Sequence, residues 1–240
     1  MGRLLLLLAV AGALAACGGA TSGPNTDGAA PPPPATGANT VTISPFGSST
    51  AETATTAAEP VFPAETPSGV LDLAAQHPDG MVTYAILHEG AQGEMTIARL
   101  GGKALVAITT GTGTTKVGVD VEGPAITWVC TTPSGGDPTC ADKDEGGQGA
   151  DALAAAAALV GEDRVRELVA AASATSDANV VVRTQAQVDA SCVTGTNATG
   201  GLAICISPSG FVTDAEGGGA IARAIAVSPD VTDADLAKPA

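Results

Sequence analysis

The chain has 240 residues, 25 acidic against 10 basic side chains, and a formal net charge of -15. So acidic a surface repels nucleic acid and anionic lipid headgroups beyond the Debye length, which speaks against a nucleic-acid partner. With one Trp, one Tyr and three Phe, the core must be built from small side chains. Such a core buries less area per residue and gains from covalent staples.

The first residues read as an export signal. Arg3 supplies the positive start, and Leu4 to Leu14 form an apolar run too short for a bilayer, which needs roughly 20 residues. Leu14-Ala15-Ala16-Cys17 matches the bacterial lipobox. Residues 1–16 are therefore expected to be a lipoprotein signal peptide, cut before Cys17, whose thiol and new amine are acylated. Loss of Arg3 leaves 9 cations against 25 anions, a side-chain charge of -16. Membrane attachment is then expected from acyl chains on Cys17 rather than from a basic patch. The compartment implied is extracytoplasmic, at the outer face of the cell membrane, where disulfides persist.

Residues 17–69 are low-complexity Gly, Ala, Pro and Thr, with a polyproline run at Pro31 to Pro34. They read as a disordered tether. The composition changes near Gly69, and residues 70–240 read as one domain. Val70 to Ala74 suggests a short helical lead-in. Met81 to His88 alternates in the manner of a strand, with Val82, Tyr84 and Ile86 on one face. Strands are expected at Glu94 to Leu100, Lys103 to Thr110, Lys116 to Val121 and Ala125 to Thr131, joined by Gly-rich turns as an antiparallel meander. On the fifth strand Trp128 is expected to share a face with Ile126 and Cys130.

Asp151 to Ser173 changes to helical spacing. Leu153, Ala156, Ala157 and Val160 form one stripe, and Val165, Leu168, Val169 and Ala172 a second, out of phase across Gly161. Two helices or one kinked helix are expected, packed on the sheet, with Glu162 and Asp163 favouring the second N-terminus. Strands resume at Asn179 to Arg183, Val188 to Thr194, Leu202 to Ser207, Phe211 to Thr213 and Ala220 to Val227. The tail from Asp230 to Ala240 is acidic.

Beyond Cys17, four cysteines remain, an even number for an oxidising compartment. Cys130 and Cys140 flank a turn-forming stretch, and Cys192 and Cys205 lie on consecutive strands. Locality favours 130–140 and 192–205 among the three connectivities. Each closed loop contributes about 2–3 kcal/mol in the chain-entropy account. The spacings do not suit a metal site, and neither His77 nor His88 lies close to a cysteine in sequence. No metal or cofactor is expected.

Catalytic patterns are missing from the sequence. His88-Glu89 does not continue into H-E-x-x-H, and there is no G-x-S-x-G elbow. The Gly-rich runs at Gly111 to Gly113 and Gly217 to Gly219 open no helix, so they are not phosphate cradles. His77 and His88 read as edge or surface residues. The reading is non-enzymatic.

Taken in order, the lipobox at Cys17, the tether, the meander from Met81 to Thr131, the helical insert from Asp151 to Ser173, the returning hairpins and the ending from Val227 to Pro239 resemble the LolA/LprG family of lipid-carrying envelope lipoproteins. The paired cysteines are similar to those of actinobacterial exported relatives. The resemblance implies an α+β fold: a single, strongly curved antiparallel sheet, or half-open β-barrel, with helices packed on its concave face. It also implies a cavity between them that takes acyl chains. Tyr84, Ile86, Ile126, Trp128 and Leu168 are the expected cavity wall. The function expected is binding or carriage of a lipid or other amphiphile at the membrane. The alternative is a non-catalytic structural module that meets an envelope protein partner.

Overall fold

The computed structural model describes residues 61–123 and 125–239. The signal peptide, Cys17 and the expected tether as far as residue 60 lie outside the described residues. Folded structure begins before the boundary expected at residue 69. Ala64 is buried, and its N–H donates to Ser191 Oγ at 2.8 Å. Thr66 then caps a helix, α1 (Pro67–Ala74), accepting from the Gly69 N–H at 3.1 Å, with Pro at the first helical position where no donor is needed. Val70 and Leu73 are its buried residues. Residues 62–69 thus belong to the domain rather than to the tether, because their apolar side chains have a core to join.

Six strands follow as a meander: β1 (Gly80–His88), β2 (Ala91–Leu100), β3 (Lys103–Thr110), β4 (Gly113–Asp120), β5 (Ala125–Pro133) and the short β6 (Thr139–Ala141). Two helices, α2 (Gln148–Val160) and α3 (Glu162–Ser173), come next. The chain ends in β7 (Asn179–Gln185), β8 (Val188–Asn197), β9 (Gly200–Ile206), β10 (Val212–Gly217) and β11 (Ala220–Ser228). All eleven strands form one antiparallel sheet in the order β6-β5-β4-β3-β2-β1-β11-β10-β9-β8-β7. Every neighbour pair but one is a sequential hairpin. The exception joins β1 to β11, the first strand to the last.

One face of the sheet shares an apolar core with the helices. Met95, Val106, Val117, Val193 and Ile204 come from strands, while Leu159, Leu168 and Ala172 come from α2 and α3. In α3 the expected stripe of Val165, Leu168, Val169 and Ala172 is the buried set. In α2 the buried face is rotated from the expected one. Ala152, Leu153, Ala156 and Leu159 are buried, whereas Ala157 and Val160 are half-buried. An all-alanine stretch offers nearly equal faces, and the tertiary contacts choose between them. The two helices part at Gly161, as the phase break implies.

The other face carries both disulfides. Cys130 and Cys140 are directly opposed on β5 and β6, with Cα atoms 4.1 Å apart. Cys192 and Cys205 are opposed on β8 and β9 at 4.0 Å. Here the expectation about Trp128 fails. Gly118 pairs with Trp128, but the next residue, Val119, pairs with Ile126. Thr127 is the extra residue of a β-bulge, which flips the side-chain alternation. Ile126 therefore packs against the helix-side core, and Trp128 joins Cys130, Ala98, Leu105 and Leu236 on the opposite face. Gly118 makes this possible: a Cβ there would overlap the indole, which lies across the bare backbone of β4.

The acidic tail also has a structural place. Val231 and Leu236 pack on the Trp128 cluster. Lys103 Nζ bonds Asp233 at 2.8 Å, and Lys238 Nζ bonds Asp142 at 2.6 Å. The two exposed ion pairs add little stability; the buried Leu236 carries most of the attachment.

On the same face, Asp214 is buried beside the second disulfide, as β10 pairs with Cys205. Its Oδ1 has no hydrogen-bond partner, and Arg223 Nε is 3.5 Å away. Burial raises its pKa above the ordinary carboxylate value, and Arg223 opposes the shift.

Two outcomes follow from this face. Leu236→Ala should cost about 2–4 kcal/mol in urea unfolding, the usual range for a buried leucine, and should red-shift the emission of the single tryptophan. Asp214, with a raised folded pKa, favours the fold below its unfolded value, and that benefit is lost as pH rises through the folded value. Asp214→Asn should therefore be more stable than the parent at neutral pH, with the difference shrinking on acidification toward about pH 4 in pH-dependent urea unfolding.

Candidate functional site

At the edge of the helix-side core the packing leaves a partly open cavity of about 360 Å³. Its floor is the sheet, where Val82 and Tyr84 of β1 and Ile97 of β2 face inward. Its walls are α1, the α2–α3 junction and the loop from β9 to β10, through Leu71, Val165 and Phe211. The size falls within the range of about 300–1,000 Å³ of small-molecule pockets, and an apolar lining with a few polar groups at the edge is their usual character.

Local sequence shapes one side of the cavity. Gly80 and Ala104 flank Arg99 across the ladder. Gly80 has φ +143°, a conformation that suits glycine, and the Phe211 ring sits where a Cβ would stand, 2.5 Å from its ideal position. Phe211 therefore reaches over β1 and closes one side of the cavity. Tyr84 donates its hydroxyl to the Val212 carbonyl at 2.9 Å, tying the floor to the start of β10, next to Phe211. Burial pushes the Tyr84 phenol far above its ordinary pKa, so it stays a donor.

Polar groups gather at one edge. His77, Asp72, Arg99, Glu162 and Arg166 all border the space. Glu162 and Arg166 pair with each other within the first turns of α3. His77 is held below the ordinary imidazole value, first by burial and then by the Arg99 charge, with Glu162 acting the other way.

Of the five expected wall residues, Tyr84 alone lines this cavity. Ile86 and Leu168 lie in the same core but are packed solid, and Ile126 packs against it from β5. Trp128 is on the other face. Residues not expected in the wall contribute in their place: His77, read as an edge or surface residue, Val165, read as part of the helical stripe, and Arg99 and Phe211. Arg99 carried a signal: it falls on the odd-numbered, apolar phase of β2, after Met95 and Ile97. Phe211 carried none, because its loop meets β1 only through the closing pair of strands.

A wider groove of about 470 Å³ lies between α2 and the ends of β3, β4 and β5. It is open to solvent and edged by threonines, of which Thr110 and Thr112 bond each other at 2.9 Å. Hydroxyls engaged with one another recognise little, so the more apolar, more recessed cavity is the stronger candidate. Among the described residues, no three His, Cys, Asp or Glu side chains converge as a metal site. No helix among them is long and apolar enough to cross a membrane. No protein-family model matches the chain, and no curated protein matches its sequence.

Tyr84→Phe should leave the Val212 carbonyl without its donor and cost about 0.5–1.5 kcal/mol in chemical denaturation. Proteolysis within the β9–β10 loop should quicken in the same variant.

Proposed function

We propose that this protein is a non-catalytic binding protein of the cell envelope, anchored by acyl chains on Cys17, that holds a lipid or other amphiphile in the cavity between α1, α3 and β1–β2. The observation that carries the reading is the cavity itself: about 360 Å³ of partly open space beside the core, apolar on its floor and polar on one edge. That division matches a molecule with one greasy and one polar part. Each methylene withdrawn from water contributes about 0.8 kcal/mol, so even a partly buried chain yields useful affinity. In this reading the sheet is a half-open barrel and the helices lie against its concave side, α1 and α3 acting as the cover.

Three further features support it. The fold is one open antiparallel sheet with helices, the architecture implied by the likeness to lipid carriers. The two disulfides suit an oxidising compartment outside the cytoplasm. The acidic surface is poorly suited to clinging to anionic membranes by charge, so a lipid-anchored chain could release cargo without its body adhering to the bilayer.

The test is co-purification. Native mass spectrometry of the full chain carrying Cys17→Ala should show adducts of amphiphile mass. Ile97→Trp, which fills the cavity from a strand that tolerates an aromatic side chain, should abolish them while the circular dichroism spectrum stays unchanged. Adducts that persist unaltered in a folded Ile97→Trp protein would remove the cavity as the binding site.

A further inference from the structure

A cation stands where the strand pattern leads to an apolar side chain. On β2, Met95 is fully buried, Ile97 packs against the core, and Arg99 continues the same row into the cavity wall. Its neighbours across the ladder, Gly80 and Ala104, are too small to cover it. Arg99 is half-buried and, among the described residues, makes no ion pair. The two carboxylates that border the cavity do not satisfy it. Glu162 is engaged by Arg166, and Asp72 stands on the exposed side of α1 without an ion-pair partner. In a chain with 25 acidic residues, a free guanidinium at the edge of an apolar space is a costly arrangement that packing does not require.

His77 faces the same space. Its backbone has φ +45°, in the left-handed region, although it is not glycine and precedes Pro78. Residues held in such sparsely populated conformations concentrate at ligand sites. The conformation brings the half-buried imidazole to the cavity beside Arg99.

We propose that Arg99 and His77 form the seat for an anionic headgroup, so that the cavity selects a single-chain amphiphile whose carboxylate or phosphate meets Arg99 and whose chain lies along Val82, Tyr84, Ile97 and Phe211. This rests on the binding role proposed above and adds the chemistry of the ligand. A guanidinium takes a carboxylate or phosphate through two parallel hydrogen bonds, a geometry that an uncharged glyceride cannot match. The cavity lies near the lower end of the pocket range, which suits one chain rather than several.

The seat is coupled to protons. The charged groups facing His77 are Arg99 from β2, Glu162 and Arg166 from α3, and Asp72 from α1. Without an anion on Arg99, burial and then the Arg99 charge lower the His77 pKa below the ordinary imidazole value, with Glu162 acting the other way. An anion on Arg99 offsets that charge and favours imidazolium. The bound state therefore has the higher His77 pKa, and affinity for the anion tightens as pH falls between the bound and free values.

The test compares palmitate, palmitoyl lysophosphatidate and uncharged monopalmitoyl glycerol by calorimetry, on the full chain carrying Cys17→Ala. At least one anion should bind about 10- to 100-fold more tightly than the glyceride, the worth of hydrogen bonds to a charged group. The tighter anion identifies the headgroup as carboxylate or phosphate. Arg99→Gln should abolish the preference without weakening the glyceride, and Arg99→Lys should keep part of it. His77→Asn, which tolerates the same backbone conformation, should remove the tightening at low pH. Equal affinity for all three ligands, unchanged by Arg99→Gln, would overturn the anionic seat and leave amphiphile binding in place. No binding of any of the three to the folded protein would overturn both.

Discussion

The pairing of β1 with β11 is the constraint on which the rest of the molecule depends. Each other strand contact closes a local hairpin, so the two meanders, β1 to β6 and β7 to β11, would otherwise be separate sheets. The joining ladder runs from Met81 opposite Ser228 to Leu87 opposite Ile221. On its inner side, large residues meet small ones: Tyr84 opposes Ala224 and Ile86 opposes Ala222. A Tyr or Ile laid against alanine fills the layer without strain. Closing so long a loop adds little beyond the cost of a short one, because loop entropy grows only with the logarithm of length. The same joint places the β9–β10 loop over β1. Phe211 then covers Gly80, and the Tyr84 hydroxyl finds the Val212 carbonyl. The cavity exists because the two meanders meet there.

The two faces of the sheet are stabilised in different ways. The inner face relies on apolar packing with α2 and α3, whose side chains are mostly Ala, Leu and Val. Among the described residues, no helix joins the apolar clusters of the outer face. This face holds two cross-strand disulfides, one tryptophan laid over Gly118, and a tail pinned by Leu236. A chain with so few aromatic residues lacks the area to bury a second full layer, and covalent links make up part of the difference. The stapled face is thus closed, while the helical face keeps unfilled volume. Space for a ligand on one side is compatible with stability because the other side does not need it.

Much of this organisation was legible in the chain. Alternation of Val82, Tyr84 and Ile86 marks the inner row of β1. The phase break at Gly161 separates two helices, and the close spacing of the cysteines identifies their partners. A bulge defeated the simple period-two reading of β5: Thr127 sends Ile126 and Trp128 to opposite faces. One extra residue inverts every side chain beyond it, and nothing in the local composition marks where the ladder will accommodate it. The short β6 was hidden for a related reason. Thr139 to Ala141 become a strand because Cys140 is held against Cys130, not because of their own propensity.

Apart from β6, strand and helix identity, the hairpin order and the cysteine pairs were determined by the sequence alone, since each depends on residues close together in the chain: side-chain periodicity, turn glycines and short loops. The cavity and its polar edge were decided only by tertiary structure. His77, Arg99, Val165 and Phe211 come from four separate segments, and they converge because β1 pairs with β11 while α3 packs on α1 and on β8, β9 and β10. The surroundings of Arg99 are set by Gly80 and Ala104 across the ladder, and no local pattern records those neighbours.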